Sequence, residues 1–229
     1  MNLGVVILCR MSSSRLPGKV LMEVKGKVII QHIFDRVSKV FDEKNIVIGT
    51  SQDSSDDEIE NYCNKNNIQI GRGSLENVSK RFLDIAKSRD WDYVIRINGD
   101  NLFIDTDTLA TLKDKAESGD YDFISNVKGR TFPYGMSIEV IKVNYYQELY
   151  ETLIKDNDDF REHVTLCLYE DNTPGNKYFH YNEICPEAKG LKFAVDTRED
   201  LEKVERIINN VSEDYTLSEL VKEFKNEIE

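Results

Sequence analysis

A chain of 229 residues with 30 Lys and Arg against 42 Asp and Glu carries a formal net charge of −12 and a pI near 4.9. That charge argues against a nucleic-acid surface, which needs a basic face, and against a peripheral membrane protein, which wants Lys and Arg on one side. The length suits one large α/β domain or two small ones and is enough to bury a sizeable core.

Taken in chain order, the apolar opening at residues 3–9 is too short to span a membrane. It has no basic leader or small-residue cleavage site, so a buried first strand is expected. Over 28–40, Ile29, Ile30, Ile33, Phe34 and Val37 recur at the helical period and predict one face packed on a sheet. Strands are predicted at 45–49, 68–71, 93–97 and 123–125, alternating with helices at 56–66, 76–89 and 106–117. This order predicts a mostly parallel sheet with helices on both faces, binding its ligand where the strands end. After residue 126 the rhythm changes. Strands are predicted at 136–142, 178–182 and 191–195, and helices at 144–153, 162–169, 198–210 and 217–228. One domain, 1–229, with an inserted subregion at 127–185 is the simplest organisation. Cys9, Cys63, Cys167 and Cys185 form no CxxC pair, which predicts reduced structural thiols and a cytoplasmic protein. No His has metal-ligand spacing with a Cys or a second His.

The strongest chemical signal is Cys9-Arg10-Met11-Ser12-Ser13-Ser14-Arg15-Leu16-Pro17-Gly18-Lys19, directly after the first strand. Three hydroxyls, a run of loop amides and the cations Arg10, Arg15 and Lys19 suit a triphosphate. Pro17-Gly18 makes a turn that aims Lys19 back toward it. Neither the GxxxxGK loop nor the GxGxxG loop is present. A plain basic surface turn is the bland alternative, and the clustering of three cations after strand one weighs against it. Two acids follow sheet segments: Asp100, after Arg96-Ile97-Asn98-Gly99, and Asp196, after Leu191-Lys192-Phe193-Ala194-Val195. Two such carboxylates suit Mg²⁺ completed by phosphate oxygens and water. Taken alone, Asp100 reads equally as a turn acid and Asp196 as an acid at a helix start. Asp105, before Thr106, reads as an N-cap.

The basic loop resembles A-R-M/Y-x-S-T/S-R-L-P-G-K of the cytidylyltransferases that make CMP-activated sugars. It is similar to the CMP-Kdo synthetases and the spore coat polysaccharide biosynthesis protein F group, departing at Cys9 and Ser12. Residues 96–105 resemble R-I/L-T-G-D-C-P-L-I-D, with Asn101-Leu102-Phe103 in place of Cys-Pro-Leu, and 195–201 resemble V-D-T-x-E-D-L. Weaker likenesses cover 71–78, 132–140 and 161–165. The resemblance implies a Rossmann-like, GT-A-like fold of the nucleotide-diphospho-sugar transferase type. It also implies transfer of CMP from CTP to a sugar or sugar-acid acceptor, with pyrophosphate released, and a homodimer. Arg10, Lys19, Asp100 and Asp196 would be catalytic, the two acids as Mg²⁺ ligands. Nucleotide contacts would come from Arg10, Met11, Ser12, Ser13, Ser14, Arg15, Lys19, Thr50, Ser51, Gly73, Ser74, Arg81, Asn98 and Gly99. Tyr134, Glu139, Arg161 and His163 would face the acceptor. Ser74 reads equally as an N-cap, and His163 reads as part of a structural network at a helix start. A GT-A-like glycosyltransferase is one rival, but the Asp-x-Asp motif it needs is absent from Gly99-Asp100-Asn101-Leu102. A non-catalytic nucleotide-binding module is the other.

Overall fold

Six consecutive buried residues form the first strand, β1 (Leu3–Leu8). Val5 and Ile7 belong to one core and Val6 and Leu8 to another. A strand apolar on both faces must be covered on both, and this one lies in the middle of a sheet. The computed structural model describes residues 1–227. After β1 come a short hairpin, β2 (Glu23–Val24) and β3 (Lys27–Val28), then α1 (Ile29–Val37), β4 (Ile46–Ser51), α2 (Asp57–Lys65), β5 (Gln69–Gly73), α3 (Val78–Ser88), β6 (Tyr93–Asn98) and α4 (Thr106–Glu117). The second part of the chain adds β7 (Phe123–Ser125), β8 (Glu139–Lys142), α5 (Val143–Leu149), α6 (Asp158–Glu162), β9 (Lys177–Phe179), α7 (Arg198–Asn210) and α8 (Leu217–Asn226).

The sheet has seven strands in the order β5-β4-β1-β6-β8-β7-β9. All neighbours are parallel except β8, which runs against both β6 and β7. The mostly parallel sheet with helices on both faces expected from the sequence is the one observed. Side chains of α1, α4, α7 and α8 join the core on one face, and those of α3 and α5 the core on the other. Two strands of the 127–185 segment, β8 and β9, belong to this same sheet.

Local chemistry explains the helix starts. The Asp105 carboxylate accepts the Thr108 amide at 2.9 Å, as its N-cap reading required. Thr197 with Asp200, and Thr216 with Glu219, close capping boxes on α7 and α8. Residue 228, at the end of the helix expected over 217–228, lies outside the described residues.

Two expected elements differ. The helix expected over 162–169 is instead the end of α6 followed by a separate 3-10 turn, Leu166–Tyr169. Asn157 caps the earlier turn by accepting the Phe160 amide, and His163 breaks away with φ −102° and ψ 84°. The strand expected over 191–195 makes only a bridge from Lys192 to Tyr134. Phe193 and Val195 are nevertheless fully buried, so their alternation reflects packing rather than a ladder. Among the described residues, no helix is long and apolar enough to cross a membrane.

Candidate active site

β1 delivers the chain into the basic loop, and Met11 is the hub of that loop. Its carbonyl accepts the amides of Ser13 and Gly18, both at 2.8 Å. Gly18, at φ +72°, turns the chain into the short helical turn Lys19–Leu21. Lys19 is thereby folded inward and is only 8 % exposed. Its ammonium lies 2.9 Å from Asp100 Oδ2, 3.3 Å from Asp196 Oδ1 and 2.6 Å from the Val195 carbonyl oxygen. One cation therefore joins three segments spread over the whole chain.

Each acid has its own support. Asp100 follows β6 directly, and the turn at Gly99 presses against the start of the basic loop. A Cβ at Gly99 would lie 2.5 Å from the Cys9 Cβ, so only glycine lets the two turns cross this closely. Asp196 is held by the segment that failed to form a strand. Tyr134 donates its amide to the Leu191 carbonyl at 2.9 Å and accepts the Phe193 amide at 2.8 Å. Gly135, at φ +91°, packs where a Cβ would meet the Ala194 amide nitrogen at 2.3 Å.

Cations dominate around Asp196. Arg15 reaches it at 2.8 Å, and Lys192 and Lys19 each at 3.3 Å. Just behind it, Asp200 accepts the amides of Asp196 and Thr197 and the Lys192 ammonium. Burial opposes ionisation of Asp200, but these donors outweigh it and hold the carboxyl below its usual range. The residues fit a magnesium ion by donor chemistry. Two carboxylates and a carbonyl oxygen already converge on a single cation, a hard-oxygen set that nucleotide phosphates and water can complete. Among the described residues, no cluster of three or more His, Cys, Asp or Glu is placed to hold a metal without such help.

These groups form one side of a cleft of about 390 Å³. Arg10, Ser13, Ser14, Arg15 and Lys19 line that side, with Asn98, Gly99 and Asp100 at the tip of β6 and Asp196 at the end of the 191–195 segment. Arg81 of α3 also lines the cleft. It is 3 % exposed, donates to the Ser74 carbonyl at 2.8 Å, and has no carboxylate within ion-pair distance among the described residues. Burial pushes its pKa down from the usual arginine value.

Several expected site residues lie elsewhere. Met11 packs against the core, and Ser12 is exposed. Thr50 and Ser51 are buried and bonded to Asp56. Gly73 ends β5, and Ser74 accepts the Asn77 amide at 3.0 Å, while Asn77 itself caps α3. Of the four acceptor candidates, only His163 lines the cleft. Glu139 is 2 % exposed because the β6–β8 register sets it opposite Arg96, whose guanidinium it binds, and it also accepts the Tyr169 hydroxyl at 2.6 Å. Tyr134 is exposed, with the Arg130 guanidinium 4.8 Å from its ring centroid, and Arg161 pairs with Asp158. Arg96 and Glu162 line the cleft although the sequence reading gave neither a role in it, Glu162 standing 3.7 Å from Arg10. Their sequence signal was limited to adjacency: Arg96 begins the Asp100 segment and Glu162 precedes His163.

The fold and this cleft define a nucleotidyltransferase. Residues 5–225 match the model of the cytidylyltransferase family, and the chain belongs to that family. Among curated relatives it is similar to the spore coat polysaccharide biosynthesis protein SpsF of Bacillus subtilis (strain 168), 31% identical over 227 residues, spanning 94% of this chain and 91% of that protein. Among solved structures it is similar to a cytidylyltransferase from Leptospira borgpetersenii serovar Hardjo-bovis, with a TM-score of 0.90 and 28% identity over 99% of this chain and 94% of the other. A CMP:2-keto-3-deoxy-manno-octonic acid synthetase complexed with CTP shares the fold, with a TM-score of 0.68 at 18% identity over 91% of this chain and 99% of its own.

Proposed function

We propose that the protein transfers CMP from CTP to a hydroxyl of a sugar or sugar-acid acceptor, releasing pyrophosphate, in surface polysaccharide or glycoconjugate synthesis. The observation that carries this reading is the single cleft in which the basic loop and the acids Asp100 and Asp196 meet at Lys19. Family membership supports the nucleotidyl-transfer class, and the likeness to SpsF supports a polysaccharide role.

The triphosphate lies along the basic loop. Arg10, Arg15 and Lys19 neutralise it, and the amides of Arg10, Ser14 and Arg15, which line the cleft and have no acceptor among the described residues, bond its oxygens. The acceptor oxygen attacks the α-phosphorus in line as pyrophosphate leaves. Catalysis is positioning and charge stabilisation, with no covalent intermediate on the protein. A bound Mg²⁺ supplies charge neutralisation at the phosphates, and Asp100 and Asp196 are the residues that would hold it. Arg81 and His163, which line the same cleft, are the residues we assign to the base or the acceptor. The acceptor-facing and dimer-forming role of 127–185 belongs to the same reading, as do a homodimer and a cytoplasmic setting. Ile184, 90 % exposed, gives that segment an apolar contact point.

The test is pyrophosphate release with each of the four nucleoside triphosphates, Mg²⁺ and a panel of sugars and sugar acids. Release with CTP and one acceptor class is the expected result. Release with no triphosphate, or glycosyl transfer from a preformed nucleotide sugar, overturns the reading. Light scattering of the purified chain tests the dimer.

A further inference from the structure

Asp56 lies just before α2, is fully buried, and faces the underside of the basic loop. One of its oxygens accepts the Met11 amide at 2.7 Å, a contact across 45 residues of sequence. The other accepts the Thr50 hydroxyl at 2.9 Å, the Ser51 amide at 3.0 Å and the Ser51 hydroxyl. No cation lies within ion-pair distance among the described residues, so hydrogen bonds alone stabilise its charge. Burial raises the carboxyl pKa, but the Met11 amide and the Thr50 and Ser51 donors outweigh it and leave the group below its usual range.

We propose that Asp56 is a positioning residue that sets the shape of the triphosphate loop without touching the nucleotide. The inference rests on the reading of that loop given above. Met11 is fixed at both ends of its peptide geometry: its amide on Asp56, its carbonyl on the amides of Ser13 and Gly18. The Met11 carbonyl thus withdraws the Ser13 and Gly18 amides from ligand duty, and the amides left over among the loop residues that line the cleft are those of Arg10, Ser14 and Arg15. Freeing the Met11 amide unlocks the hub, and the leftover donors lose their common orientation. Asparagine cannot replace the acid, because its amide nitrogen must confront either the Met11 donor or the Ser51 donors. A merely structural Asp56 would close the turn between β4 and α2, and its loss would lower stability without a specific effect on nucleotide.

The experiment compares CTP affinity, by calorimetry with Mg²⁺, in the wild type, Asp56→Asn and Val221→Ala. Val221 is a buried residue of α8 whose truncation lowers stability without altering the loop or the cleft. Asp56→Asn should bind CTP roughly ten- to a hundredfold more weakly, the worth of one charge-assisted hydrogen bond. Val221→Ala should bind it as the wild type does. Equal CTP affinity in Asp56→Asn and the wild type overturns the proposal. A wild type that fails to bind CTP sinks the reading of the loop itself and is recognisable as that separate failure. Should Asp56→Asn not fold, hydrogen exchange of the native chain still decides: the Met11 amide should be protected before CTP is added, and rapid exchange there refutes the clamp.

Discussion

Replacing Lys19 by methionine keeps the length and apolar stem of the side chain and removes its charge and donors. Among the described residues, the ammonium is the only ion-pair partner of Asp100 and one of three for Asp196, which also meets Arg15 and Lys192. Removing one partner of a buried pair costs about 3–5 kcal/mol. The Asp100 side chain is 25% exposed and Asp196 keeps two cations, so water and neighbours reduce the cost to about 1–3 kcal/mol. In a domain of this size each kcal/mol moves the unfolding midpoint by about 2–4 °C, so the midpoint in EDTA should fall by roughly 2–12 °C. The loss is electrostatic, and a divalent cation should reverse it. Millimolar Mg²⁺ should raise the midpoint of Lys19→Met more than that of the wild type, whose acids already share a cation. Scanning calorimetry with and without Mg²⁺ reads both effects. A variant with the wild-type midpoint in EDTA, or one indifferent to Mg²⁺, would refute the idea that these carboxylates form a single cation site.

Asp100→Asn should lower pyrophosphate release on the order of a hundredfold or more while the circular dichroism spectrum stays native, and undiminished release would remove Asp100 from the mechanism. Gly135→Ala forces a Cβ against the Ala194 amide at a positive φ, a strain of about 1–3 kcal/mol before any clash is counted. Its turnover should fall further than its melting curve predicts, because Asp196 moves with that segment. For Asp200, whose folded pKa is depressed, the stabilisation is present above the unfolded value of about 4 and is lost as pH falls through the folded value. Denaturant titrations of Asp200→Asn should therefore show lower stability at neutral pH and a flatter decline below about pH 4 than the wild type.

The parts of the fold written locally were legible. The central strands announce themselves as short runs buried on both faces, and α4 and α7 begin where their capping residues stand. The 191–195 segment misleads because Leu191, Phe193 and Val195 alternate as a strand would, while its backbone bonds to the residue 134 turn and the Asp100 carbonyl, and Phe193 packs on Phe103 and Phe224. The 162–169 stretch misleads because the competing cap, Asn157, starts a helix one turn too early for it. Within the site, the basic loop and the two acids stood out because charge at strand ends is visible in sequence. Glu139 looked available for a ligand because its partner Arg96 lies 43 residues away, on a strand whose register no local pattern specifies. Asp56 resembles its neighbouring surface acids in sequence for a similar reason: Thr50 and Ser51 are close by, but the bond that ties it to the basic loop spans 45 residues.

The reversed direction of β8 matters for how the two walls of the cleft can change. A strand running against its neighbours presents its beginning at the edge where they finish, so the connection over 126–138 meets that rim beside Asn101, whose side chain donates to the Ser137 carbonyl. The basic loop, by contrast, follows β1 and rests on β4 and on Asp56 just before α2. Insertions or substitutions in the later connection therefore act on the Asp100 and Asp196 turns, through Asn101 and through the Tyr134 contacts to 191–193, while the basic loop keeps supports of its own.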